Sequence, residues 1–380
     1  MSTPHRSPIR AMDVTVAAMV VTTLALLVAP SLSQASADAR RTICLNNVKL
    51  LCRGLANHES ARKDFPPAST APITAVPGDA SRTNKRAGFS WLARLLPFFE
   101  KAPLYMAMRN SSEGMTISPF APAVRMKLGG MDRSVAAEPV FEFICPGFDG
   151  AWIVDVAASN YRADEYGGAP AITNYFALSG THLVERDGGW FLDANAKVVL
   201  QGNGAMPLVS AEALKNGWQR VHGVTLAALS RDGASNTISL CEGREQAYAA
   251  WIDGQVAWTV AAWPTNPQAP EKRSAAANAP PIIGWANDAD LENTVCIVKQ
   301  SYGALGDRSG SYLPADRWSG TKHRQFGPSG NHTGVAAHGF VDGHAKFISD
   351  KIDRNIYLHL TTRSGREVIP ESAAEYFITR

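Results

Sequence analysis

The sequence predicts an α+β protein in which a long N-terminal helix precedes a largely antiparallel sheet with extended loops. Three observations predict it. An apolar and then amphipathic stretch runs from residue 14 to about residue 60, a Pro-rich break follows, and short β-patterned segments separated by Gly, Asp, Asn and Pro clusters fill the chain beyond residue 140. With 380 residues, 45% apolar and 19% charged, the chain can bury a sizeable core and is expected to fold without a metal staple.

The first element opens on residues 14–29, VTVAAMVVTTLALLVA, sixteen residues without a charge, preceded by His5, Arg6, Arg10 and Asp13. This is the pattern of export. As a helix it spans about 24 Å against a hydrocarbon core of ~30 Å, and PSLSQASA extends the charge-free stretch to Ala37. Two outcomes fit. Cleavage after Ala35-Ser36-Ala37 would release a secreted chain beginning near Asp38; retention would leave an inner-membrane anchor, with the body in the periplasm or at the cell surface.

Residues 38–60 continue the helix amphipathically, with Cys44, Val48, Leu51, Cys52 and Leu55 on one stripe and Gly54 as a local weak point. Cys44 and Cys52 lie about 12 Å apart along such a helix, beyond the ~7 Å that a disulfide spans. Residues 61–87 are a Pro/Ser/Thr-rich loop, and residues 88–380 form the α+β body. That body begins with a helix over 88–108 interrupted by Pro97, followed by strands at 141–145, 151–157, 172–178, 190–200, 247–260 and 334–348, with a second long loop over 262–281.

The formal net charge is +3 and the basic residues are scattered, which argues against a nucleic-acid partner. The five cysteines form no C-x-x-C pair, and their odd number leaves at least one thiol unpaired in a single chain. The chain carries no G-x-S-x-G, H-E-x-x-H, phosphate-loop or dinucleotide motif, and it reads as non-enzymatic. The pairs Glu242 with Glu245 and Asp253 with Asp290 read as surface carboxylates. Trp251, Trp258, Trp263 and Trp285 could line a sugar-binding face, but core packing is the better-supported use.

Residues 332–348, HTGVAAHGFVDGHAKFI, space three histidines evenly at 332, 338 and 344. Asp342-Gly343 predicts a two-residue type I′ hairpin, both residues at positive φ, pairing Val341 with His344, Phe340 with Ala345, Gly339 with Lys346 and His338 with Phe347. His338 and His344 then face opposite ways, which disfavours one metal ion gathering all three imidazoles. Asp232, Ser235 and Asn236 offer three oxygens that can ligate calcium, the one cofactor considered; calcium takes about six to eight, and an Asx-type turn is the alternative.

His332, nine intervening residues and Asp342-Gly343 form an H-x9-DG pattern. With it come CLNNVKLLCRGLANHES followed by FPPA, GFSWLARLLPFFEKAPLY, FICP, ITNYFALSG, SRDGASNTISLCE and HAKFISDKIDRNIYLHLTTRSGREVI. In these motifs, over most of its length, the chain resembles the bacterial H-x9-DG family with prepilin-type N-termini, exported proteins that look like pilins and are also classed as solute-binding. The resemblance implies a pilin-like fold, with the first half of the helix in the membrane and the second half packed on a β-sheet. It makes Asp13 a candidate for subunit assembly, places Pro30 where the helix usually kinks, and puts Pro8 and Ile9 where a prepilin peptidase expects Gly and Phe. It also suggests a disulfide between Cys44 and Cys145, and makes His332, Asp342 and Gly343 motif residues that are structural first and ligands second. The implied function is a membrane-anchored pilin- or pseudopilin-like structural protein whose partners are the membrane, like subunits or secretion and pilus machinery. The alternative is a secreted module that binds carbohydrate or small solutes.

Overall fold

The computed structural model describes residues 11–70, 88–128, 130–154, 168–180, 200–201, 203–209, 223–244, 249–254, 256–259, 261–264, 294–296, 328–363 and 369–378, some helix and strand positions by backbone alone. The chain has no glycine between Ala11 and Arg53, and it forms one helix, α1 (Ala11–Arg62), of 52 residues and about 78 Å. The helix passes through the expected boundary at Ala37 without a break. Its described side chains are exposed before Arg41, Val16, Met19, Val20 and Val21 among them. From Cys44 onward the expected stripe of Cys44, Val48, Leu51, Cys52 and Leu55 is buried, each apolar side chain contributing roughly 1.5–3 kcal/mol over its exposed state. Among the described residues no helix is long and apolar enough to cross a membrane. The side chains at 24–33, within and just after the apolar run, lie outside the described set, as does that of Asp13.

After the loop, Ser90 caps α2 (Trp91–Leu95) by accepting from the Ala93 amide. Pro97 turns the chain into a 3-10 segment, Leu96–Phe99, before α3 (Ala102–Ser111), so the interrupted helix expected over 88–108 is two helices joined by that turn. The strands follow in chain order: β1 (Arg125–Leu128), β2 (Met131–Ser134), β3 (Tyr175–Leu178), β4 (Leu200–Gln201), β5 (Leu208–Val209), β6 (Ile238–Glu242), β7 (Trp258–Thr259), β8 (Ala262–Pro264), β9 (Thr294–Cys296), β10 (Val335–Phe340), β11 (Ala345–Ser349) and β12 (Phe377–Ile378). Six of them form the main sheet, in the order β12-β11-β10-β6-β3-β7, antiparallel except where β3 meets β7. The mixed α+β class and the mostly antiparallel sheet thus agree with the sequence pattern.

Every residue of β3, β6 and β10 is buried, so both faces of the central sheet are covered. The C-terminal part of α1 lies over β10 and β11. Gly339 permits that contact: a Cβ there would sit 2.3 Å from the Cys52 sulfur and 3.1 Å from Val48 Cγ1. Trp251 and Trp258 are fully buried, and the Trp251 ring N–H donates to the Glu138 carbonyl, the core role rather than an exposed aromatic face. The side chain of Trp263 and all of Trp285 lie outside the described residues.

Four strand expectations are corrected. Residues 141–143 form a 3-10 turn, because the chain there wraps Phe143 into the core instead of pairing along an edge. Of the stretches 151–157 and 247–260, the described residues give only isolated bridges, Ile153 with Ala171, Ile172 with Ala250 and Phe89 with Asp253, and the two-residue β7. The β10–β11 hairpin is shifted by one residue. Gly339 pairs with Ala345, His338 with Lys346 and Ala337 with Phe347. Phe340 and His344 flank a three-residue loop in which Gly343 alone has positive φ, at 99°, and its amide donates to the Phe340 carbonyl. Asp342 does not enter the left-handed region because one glycine suffices for this longer turn, whereas the type I′ turn needs two.

Candidate functional site

Four segments meet where α1 packs on the sheet. Cys44 is the first fully buried residue of the helix among those described, Cys145 follows the 3-10 turn at Phe141–Phe143, Glu242 ends β6 and His332 occupies the turn that enters β10. One Sγ from each cysteine, one imidazole nitrogen and one carboxylate oxygen all lie within 4.8 Å of one another, and all four residues are buried. His332 Nε2 is 3.4 Å from the Cys145 sulfur.

Each donor is held by its own local structure. Glu242 accepts three N–H groups: Oε1 from the Asn331 amide at 3.0 Å and its Nδ2 at 2.8 Å, and Oε2 from the Ala337 amide at 3.0 Å. The carboxylate therefore fixes the turn carrying His332 and the start of β10 together. The Cys145 amide donates to Asn174 Oδ1 at 3.0 Å, and the Asn174 amide donates to the Phe143 carbonyl at 2.8 Å, so the residue that leads into β3 sets the Cys145 loop. Asn47, one turn along α1 from Cys44, donates to the Ile144 carbonyl at 3.0 Å. The Tyr175 hydroxyl lies 3.4 Å from both the carbonyl and the sulfur of Cys44. Gly147 leaves room for the imidazole: a Cβ at that position would come within 2.7 Å of His332 Cε1.

Burial pushes the thiols of Cys44 and Cys145 up, the latter well above the usual range, and it pushes the Tyr175 hydroxyl up as well. Burial also lowers the His332 pKa, against the opposing pull of Glu242. Burial thus favours the protonated thiols and the neutral imidazole. Soft sulfur, imidazole nitrogen and a carboxylate in one dry space are a donor set for a borderline divalent metal.

The structure separates the three histidines of the hairpin segment. His332 lies in this cluster. His338 is fully buried and sits against Tyr357, and His344 stacks on Phe340 at the hairpin tip, with Asp342 Oδ1 2.5 Å from its Nδ1. Asp342 and Gly343 form the tip, which is fastened to the preceding loop by amide donation from Val341 to the Thr237 carbonyl and from Asp342 to the Ala234 carbonyl. The H-x9-DG spacing is thus the length of one strand with its entry turn, His332 at one end and Asp342-Gly343 at the other.

Cys44 and Cys145 come together across the helix–sheet contact, and both stand as thiols. Asp232 accepts a hydrogen bond from the Thr362 hydroxyl at 3.1 Å, while Ser235 and Asn236 are exposed in the turn closed by the Asn236 amide on the Gly233 carbonyl. Glu242 is a correction: read as a surface carboxylate, it is completely buried, because its three N–H partners replace water. The signal that could have found it is its place at the end of ISLCE, a run too apolar for a solvent-facing strand. Asp253 is likewise fully buried, and Glu245 and Asp290 lie outside the described residues.

Fold and site together define a mixed α+β protein whose long N-terminal helix is fastened over a mostly antiparallel sheet beside a buried thiol, imidazole and carboxylate cluster. The chain belongs to the family described as protein of unknown function (DUF1559), with the short name SBP_bac_10, whose model matches residues 33–355. All four cluster residues fall within that match. No curated protein and no solved structure matches the chain.

Proposed function

We propose that the protein is a non-enzymatic, exported and membrane-anchored structural subunit of the pilin or pseudopilin kind, working through the N-terminal part of α1. The observation that supports this is the division of that helix. Among the described side chains, contacts with the body begin at Arg41, which reaches the Thr333 carbonyl, and at Cys44, whereas Val16, Met19, Val20 and Val21 are 52–71% exposed. An exposed run of large apolar side chains on an extended helix is stable when lipid or the matching helices of other subunits cover it. The basic residues before Asp13 would rest on the cytoplasmic side, with the body outside. Asp13 at the start of the run would then pair with a neighbouring subunit's terminus, since a carboxylate at that depth is costly alone.

The test is fractionation of cells into membrane, soluble and secreted pools, with intact mass of the chain from each pool and disulfide crosslinking of a Val20→Cys variant. A membrane-bound species that retains residues 14–29 and crosslinks to a second copy is expected. A soluble species beginning at Asp38 would overturn the anchored reading, and would favour a secreted solute- or carbohydrate-binding module instead.

A further inference from the structure

We infer that Cys44, Cys145, Glu242 and His332 bind one zinc ion, which ties the N-terminal helix to the sheet. The donor types select the metal class. Two sulfurs and an imidazole suit a borderline divalent ion such as zinc, whereas magnesium and calcium take oxygen ligands almost exclusively. Four buried protein donors fill a tetrahedral shell and leave no coordination position open, which is the arrangement of a structural rather than a catalytic site.

The geometry is close to what a tetrahedral ion requires. Bonds of about 2.0–2.3 Å place neighbouring ligand atoms roughly 3.3–3.8 Å apart. The Cys145 sulfur and His332 Nε2, at 3.4 Å, already meet this, and the widest pair, within 4.8 Å, closes with side-chain rotation. Glu242 retains a place for the metal: a carboxylate offers about four lone-pair positions, and three are used by Asn331 and Ala337. These same hydrogen bonds orient the ligand, as does the Tyr175 hydroxyl at Cys44.

Binding exchanges one zinc ion for two protons. Each thiol releases its proton to solvent as its sulfur bonds to the metal, the imidazole binds neutral and Glu242 binds as the carboxylate. Two units of charge leave and two enter, so the net charge of the buried cluster is unchanged. A disulfide between Cys44 and Cys145 would instead consume both sulfurs, and would leave His332 and Glu242 converging on nothing. The inference is independent of where the helix is anchored.

The test uses the full-length chain, purified in detergent under mild reduction without chelators, with zinc measured by elemental mass spectrometry. About one zinc per chain is expected, falling at least tenfold in Cys145→Ser and in His332→Ala, and unchanged in Cys52→Ala, which removes a cysteine outside the cluster. Cobalt(II) added to the metal-stripped wild-type chain is expected to give a thiolate-to-cobalt absorption band, weaker in Cys145→Ser. This wild-type readout holds even if the variants fold poorly. A wild-type chain that carries no zinc and gives no cobalt band, or a Cys44–Cys145 disulfide in peptides from the unreduced protein, would overturn the site.

Discussion

His338 shows how burial sets the chemistry of one side chain. Its Nδ1–H donates to the Ala336 carbonyl and its Nε2 accepts from the Tyr357 hydroxyl, both at 2.9 Å, so the neutral ring is satisfied on both nitrogens. Desolvation lowers its pKa to about 4. The unfolded chain, with an ordinary histidine near 6.5, therefore binds this proton more readily than the folded one. The sign follows: stability is intact above about pH 6.5 and falls as the pH drops from there toward 4, by about 3 kcal/mol across the window for this group alone. Urea unfolding at several pH values should show that loss reduced in His338→Gln, which hydrogen-bonds without titrating here. The same slope in both proteins would mean that other groups carry it.

At the scale of elements, α1 owes its position to two glycines, and for opposite reasons from the usual one. Gly339 lets the helix approach β10, and Gly54, a weak point by propensity, accepts the ring of Phe99. A Cβ at Gly54 would lie 2.4 Å from Phe99 Cζ, and Phe99 is itself held edge-on to Phe143 with ring centroids 6.1 Å apart. Gly54→Ala gains about 1 kcal/mol of helix propensity, but overpacking of a buried ring costs about 1–3 kcal/mol. Net destabilisation is expected from chemical denaturation; a stabilised variant would show that Phe99 moves freely. The H-x9-DG segment is an element-scale feature as well. Its nine intervening residues are the entry turn, β10 and Val341, so the pattern measures a strand that joins the buried cluster to the locked tip.

Across the whole molecule, the helix has one part built into the body and one part outside it. Residues 34–40 are exposed, and among the described side chains packing begins at Arg41 and Cys44. A chain beginning at residue 34 is therefore expected to be water-soluble and to unfold at the same temperature as the full-length chain in detergent. A markedly lower midpoint would show that the first 33 residues contribute to the body. If the metal inference holds, this shortened chain keeps its zinc, since all four ligands lie beyond the cut.

Much of this could be read along the chain, because it depends on local pattern. The buried stripe of α1, the break at Pro97 and the mixed α+β class follow from periodicities of 3.6 and 2 and from proline's missing N–H. The expected opposite facing of His338 and His344 is corrected: with His344 level with Phe340, the alternation of β10 puts both on one face, and their different places along it keep them apart. The one-residue shift of the hairpin could not be read that way, since two- and three-residue loops both welcome Asp-Gly and only packing against β6 selects between them. Least legible was the cluster itself. Its members stand at positions 44, 145, 242 and 332, and no local spacing links them. The sequence determined which donors exist and that the helix carrying Cys44 would bury that face. Only the tertiary structure decided that Glu242 ends its strand beneath the helix, with three N–H groups in place of water, within reach of two sulfurs and an imidazole. Contacts between distant segments are set by how sheet and helix pack, and no periodicity within a segment encodes that.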